Sequence, residues 1–173
     1  MKYVFVLSLV LFACSQPQKE QISETNEWSV EETKKTLDKL VDDWHQSASD
    51  ANYDSYFGVM AESFVFLGTA PGERWDKKAF SNFSKPYFDE GKAWSFTAFN
   101  REWMLSEDGK MAWFDENLDT WMRGCRGSGI LVNKEGEWRF LYYNLTVLIE
   151  NEKIEQFIEL RDQEIEAEEI GEE

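Results

Sequence analysis

The sequence predicts an α+β domain: about three N-terminal helices packed on one face of a curved antiparallel sheet, followed by an acidic C-terminal helix. Three observations predict it. Apolar residues recur at helical spacing as far as Gly91, and beyond Gly91 the period becomes that of strands and stays so almost to Glu150. Residues 150–173 then carry 11 acidic and 2 basic side chains. A curved sheet covered by helices encloses a cone, and the expected organisation is one domain over residues 28–149 with an acidic helical tail over 150–173.

The chain starts with Met1-Lys2, an apolar run from Tyr3 to Phe12, and Ala13-Cys14 followed by polar residues. The run is about half the roughly 20 residues a bilayer-spanning helix needs, so residues 1–13 read as a signal peptide that is removed. Leu11-Phe12-Ala13-Cys14 resembles the bacterial lipobox, with Leu11, Ala13 and Cys14 fitting and Phe12 larger than usual. That resemblance implies lipidation at Cys14 and a protein of the bacterial cell envelope, lipid-anchored and facing the periplasm or the cell exterior. The alternative is an ordinary cleaved signal peptide with an incidental cysteine. Several acyl chains hold a protein on a membrane firmly where one does not. Residues 14–27 are polar, contain Pro17 and lack periodicity, which reads as a flexible tether.

Ser29-Val30-Glu31-Glu32 has the form of a capping box, and Val30, Leu37, Leu40, Val41, Trp44 and Ala48 follow at helical spacing, giving a helix over 30–49. Tyr53, Tyr56, Phe57 and Met60 give a short second helix over 53–60. Residues 63–67 read as a brief buried strand. Asp76 is the N-cap of a third helix that runs to a stop signal at Gly91, with Trp75 stapled onto Phe80. Pro86 lies inside that helix, so a kink or early break is expected there. Strands follow over 94–105, 111–121, 126–134 and 137–149, with hairpin turns at 106–110 and 134–137 and a link at 122–125. Ile154, Phe157, Ile158 and Ile165 mark a closing helix whose other face is acidic.

Formal net charge is −16, and 8 Trp, 13 Phe and 6 Tyr supply ample aromatic surface for a core. A chain this acidic does not suit nucleic acid, whose phosphates need clustered Lys and Arg. With Cys14 lipidated, Cys125 has no partner for an intrachain disulfide and is a free thiol; it is either packed in the core or a nucleophile served by His45. One histidine and one remaining cysteine assemble no zinc site, and no cofactor is expected.

Several runs together are similar to the SnoaL-like domains of the nuclear transport factor 2-like superfamily. They include Asp43-Trp44-His45, Tyr56-Phe57, Phe66-Leu67-Gly68-Thr69, Glu73-Arg74-Trp75, Lys85-Pro86-Tyr87-Phe88, Ala112-Trp113-Phe114-Asp115-Glu116, Leu118-Asp119-Thr120 and Cys125-Arg126-Gly127-Ser128-Gly129. The resemblance covers roughly residues 30–149 and implies a cone with a pocket between helices and sheet. It implies no single activity, because the superfamily includes isomerases, cyclases, dehydratases and plain binding proteins.

Along 111–121, alternation separates Ala112, Phe114, Glu116, Leu118 and Thr120 from Trp113, Asp115, Asn117, Asp119 and Trp121. Glu116 is a lone carboxylate among apolar neighbours, the setting that raises a carboxyl pKa and makes a general base. His45, following Trp44 on the first helix, is either a second base or a packed residue. Arg126 is placed to pair with Glu116 or Asp119, or to meet an anionic ligand. Tyr143 and Asn144 point to opposite faces of the last strand, so one of them reaches the pocket. Tyr56 is a candidate oxyanion donor by analogy with isomerases, or a core residue. Gly124, Gly127 and Gly129 precede a strand rather than a helix, so a tight strand crossing explains them better than a phosphate cradle.

These residues leave three functions open: a tethered module binding a small, partly apolar molecule; an isomerase, cyclase or dehydratase with Glu116 as base; or a collapsed cone whose sheet face, with Trp113 and Trp121, makes a homodimer.

Overall fold

The computed structural model describes residues 29–171. The signal peptide, Cys14 and the tether lie outside the described residues, as does the side chain of Ile165. Helix α1, Val30–Ser49, opens on Ser29, whose hydroxyl accepts the Glu32 N–H at 3.2 Å. One face of α1 buries Leu37, Val41, Trp44, His45 and Ala48. The helix stops at Ala51, which turns left-handed at φ 51°, with N–H bonds from Ala51 to Ala48 and from Asn52 to Ser47 closing the last turn. Asn52 then caps α2, Tyr53–Gly58, by accepting the Ser55 N–H.

Strand β1, Met60–Leu67, starts earlier than its apolar run suggests, and β2, Arg74–Asp76, is too short to leave a periodic signal. Helix α3, Lys77–Asp89, is capped by the Asp76 carboxylate on the Ala79 N–H at 2.8 Å. Trp75 stacks on Phe80 with ring centroids 5.8 Å apart, which sets the angle at which the chain enters α3. The expected break at Pro86 does not occur: α3 runs through it to Asp89, because Phe80, Ser84 and Phe88 are buried and hold the last turn against the body. Gly91, at φ 68°, ends the helix by letting the Lys92 N–H reach back to the Tyr87 carbonyl.

The sheet is completed by β3, Thr97–Leu105, β4, Met111–Thr120, β5, Arg123–Lys134, and β6, Glu137–Val147, in the order β2-β1-β6-β5-β4-β3. Every pairing is antiparallel except β1 with β6. Glu135 and Gly136 both have positive φ, as the tight turn between β5 and β6 demands. The link between β4 and β5 is Trp121-Met122 rather than 122–125: Thr120 Oγ1 accepts the Met122 N–H and donates to the Arg123 carbonyl, so pairing resumes at Arg123. Residues 94–96 are not strand. Trp94 and Phe96 turn instead against the helices and the core.

Helices α1 to α3 cover the concave face, and an aromatic core fills the space between. Trp44 stacks on Tyr56 at 5.0 Å, and Phe66 on Phe80 at 4.0 Å. Helix α4, Ile154–Gly171, does not close the domain: Ile154, Phe157, Ile158 and Leu160 are all exposed.

Candidate functional site

Strand alternation carries Ala112, Phe114, Glu116 and Leu118 of β4 to the inside, and Glu116 ends with 0% exposure. A buried carboxylate is tolerated only when its oxygens are hydrogen-bonded and its charge is matched. Both conditions hold. Oε1 accepts from His45 Nε2 at 2.7 Å and from the Tyr143 hydroxyl at 3.0 Å, while Oε2 accepts from Arg101 Nε at 2.8 Å. Because a carboxylate only accepts, the pairing places a hydrogen on His45 Nε2. Arg101 is anchored in turn by Asp42 at 2.8 Å and by Asp38 at 3.2 Å, and Asp38 also accepts the indole N–H of Trp103 at 2.7 Å. Asp38, Asp42 and His45 meet this cluster together because their spacing on α1 puts them on one face.

Burial pushes the Glu116 carboxyl upward, but the bonds and charges of His45 and Arg101 outweigh it and hold the pKa below the usual carboxylate range. The sequence expectation of a raised pKa is therefore corrected, because the alternation shows apolar neighbours on β4 but not the polar groups brought from α1, β3 and β6. Arg101, although burial opposes its charge, is driven above its ordinary value by Glu116 and Asp42. Tyr143 is raised by burial first and by the Glu116 charge second. Glu116 is wholly buried, and each of its oxygens already accepts a hydrogen bond.

The cation that pairs with Glu116 is Arg101, not Arg126. Arg126 is exposed, because it sits out of phase with buried Cys125 and Gly127 on β5. Arg101 escaped the sequence reading because a bulge between Phe99 and Glu102, with Asn100 at φ 52°, resets the alternation of β3. The Asn100-Arg101 pair is itself the signal, since asparagine tolerates a left-handed conformation inside a strand. Asn144 likewise faces away from the cone, where its amide meets Thr146, whereas Tyr143 is wholly buried. Trp44 and Tyr56 are core residues, and burial pushes the Tyr56 phenol well above its ordinary value. Cys125 is buried, with its sulfur 3.5 Å from Thr120 Oγ1. Gly127 is explained by close approach: a side-chain carbon there would stand 2.1 Å from the Tyr143 hydroxyl.

Two openings adjoin the cluster. Near His45, which is 8% exposed, a groove of about 390 Å³ is lined by Asp42, Gln46, Ser49, Ser95 and Thr97. At the mouth of the cone lies an apolar cleft of about 180 Å³. Its walls come from the end of β1, the loop to β2, α3, the segment 94–96, the β4–β5 turn and Leu145. Trp75 and Phe83 stack within this wall at 4.7 Å, and Trp94 stacks on Phe80 at 5.9 Å. The rim stays open, with Trp121 81% and Phe83 44% exposed. A single layer of rings separates the cleft from the polar cluster: Phe66 packs on Tyr143, and Phe96 meets His45 edge to face. None of the residues singled out as ligand-binding from sequence lines this cleft, whose walls join loop residues to the ends of strands and to α3.

A family model described as a SnoaL-like domain matches residues 37–150. No curated protein gives a significant match. Solved structures share the fold. An NTF2-like protein of unknown function from Pseudomonas putida KT2440 aligns at 12% identity over 71% of this chain and 92% of its own, with a TM-score of 0.59. An NTF2-like protein from Cytophaga hutchinsonii ATCC 33406 aligns at 12% identity over 66% and 98%, with a TM-score of 0.57. The association domain of C. elegans CaMKII aligns at 15% identity over 68% and 97%, with a TM-score of 0.55.

Proposed function

The chain belongs to the SnoaL-like domain family, and from that premise we propose that it is a binding domain, tethered outside the bacterial cytoplasm through a lipidated Cys14, that takes a small, partly apolar ligand in the aromatic cleft. One observation carries this reading: the cleft has a continuous aromatic wall open to solvent at Trp121 and Phe83, while the carboxylate that resembles a catalytic base is sealed beneath it. Large exposed aromatic rings around a concavity are characteristic of ligand sites. The volume suits about one ring, on the scale at which a roughly 150 Å³ apolar cavity takes benzene.

A thermal-shift screen of one-ring compounds tests it. A ligand at about 100 times its Kd adds about 2.7 kcal/mol, a rise of several degrees in a domain of this size. The shift is expected to vanish in Phe83→Ala, and a shift that survives there places the ligand elsewhere. The tether rests on Leu11 to Cys14. Detergent-phase partition of the membrane-expressed protein is expected to disappear in Cys14→Ser, and persistence would remove the lipid anchor.

A second reading, self-association, is favoured by the outer face of the sheet. Strand register aligns Met104, Trp113, Ile130, Tyr142 and Val65 in one apolar row across five strands, with Trp113 40% and Met104 38% exposed. One structural neighbour is itself an association domain. Sedimentation is expected to give a mass near twice the monomer, and Trp113→Asp to return it to one; a monomeric parent protein removes the reading.

A further inference from the structure

A ligand class can be read from the charge and chemistry of the cleft. Among the described residues, Glu73 is the only charged one lining it, and no Lys, Arg or His does. The carboxylate is pinned rather than free: Oε2 accepts the Ala70 N–H at 3.0 Å. It lies so close over Gly68 that a side-chain carbon there would stand 2.1 Å from Oε2. No cationic side chain comes within 4.0 Å of it among the described residues. The half-buried acid therefore lines an aromatic cleft with one backbone N–H and no cationic partner.

An aromatic ring presents a negative face and attracts a cation placed over it, most strongly for Trp. Trp94 and Trp121, with Phe83 and Phe96, line the cleft around one carboxylate, and Trp75 stacks behind Phe83. A neutral apolar ligand would leave Glu73 desolvated and unmatched, and an anion would be repelled by it. A chain of net charge −16 also raises the local concentration of cations.

We propose that the cleft binds an organic cation, a quaternary or tertiary ammonium group carried on a small apolar body, with Glu73 as its counter-charge. This rests on the reading of the cleft as the ligand site and specifies what that site selects. The ammonium centre sits against the aromatic lining, and its apolar substituents fill the space beside Trp94, Trp121 and Phe83. Amines bearing several N–H groups are less suited, because the cleft offers one carboxylate and few other acceptors.

The test is a matched pair of probes titrated into the purified protein at low ionic strength, read by tryptophan fluorescence: benzyltrimethylammonium and its neutral carbon isostere, neopentylbenzene. The expected result is a preference for the cation of roughly tenfold or more, reduced to near unity in Glu73→Gln and kept in Glu73→Asp. Glu73→Gln retains an oxygen for the Ala70 N–H, and an unchanged Tm confirms that it folds. Equal binding of both probes, or preference for the isostere, overturns the cation class and leaves the cleft as a site. Binding of neither probe removes the cleft reading and this inference with it.

Discussion

The Glu116 cluster and the aromatic cleft are separated by a single layer of rings, yet they are built on opposite terms. In the cluster, the buried charges are matched: Glu116 meets His45, Tyr143 and Arg101, and Arg101 meets two aspartates. In the cleft, Glu73 meets one backbone N–H and no cation, and the rings of Trp121 and Phe83 stay exposed. A matched buried ion network fixes how α1 sits on the sheet, because each partner lost leaves an uncompensated charge. An unmatched, solvent-reaching surface is where a ligand has free energy to gain. On the proposed reading, the acid that resembles a catalytic base serves the fold, and the binding surface lies one layer outward.

The largest expected effect sharpens this contrast directly. Glu116→Ala leaves Arg101 buried beside an empty site and is expected to cost about 3–5 kcal/mol in urea unfolding. A loss below about 1 kcal/mol would show that the cluster does not hold the fold. Next, Gly127→Ala forces the Tyr143 hydroxyl off Glu116 and is expected to cost about 1–3 kcal/mol. Near-neutral stability would mean that Tyr143 moves freely and the cluster is looser than its distances indicate.

The pH dependence of stability comes third. The Glu116 pKa is lower in the folded state than its ordinary value of 4.5, so its contribution is complete above pH 4.5 and is lost as pH falls through the native value. Unfolding curves between pH 6 and pH 3 should show this loss in the parent protein. Stability flat down to pH 3 would mean that folding leaves the Glu116 pKa unshifted, and stability rising on acidification would mean that the carboxyl is held protonated. The smallest stability effect belongs to the other region: Trp121→Ala should change stability by no more than about 0.5 kcal/mol while abolishing the ligand-induced thermal shift. A large destabilisation there would make Trp121 a core residue and erase the difference between the two regions.

Much of the architecture was legible because it depends on local rules. Ser29 and Asp76 announce helix starts, Gly91 a stop, and the change of period after it announces the sheet. Alternation alone placed Glu116 inside, since register along one strand needs no knowledge of its neighbours. What went unread depended on neighbours. Pro86 signals a break, yet buried Phe80 and Phe88 hold α3 through it. Arg126 looks like the partner of Glu116 because it is close in sequence, whereas Arg101 reaches it through a bulge.

The sequence by itself determined the α+β order of elements, the inward set of β4 and the surplus of negative charge, all of which follow from the identity and spacing of adjacent residues. Only the tertiary structure decided the state of Glu116, because a carboxyl pKa depends on which groups from α1, β3 and β6 converge on it. It also decided where the open surface lies. Trp75, Trp94 and Trp121 are scattered over nearly fifty positions, and nothing short of folding brings their rings around Glu73.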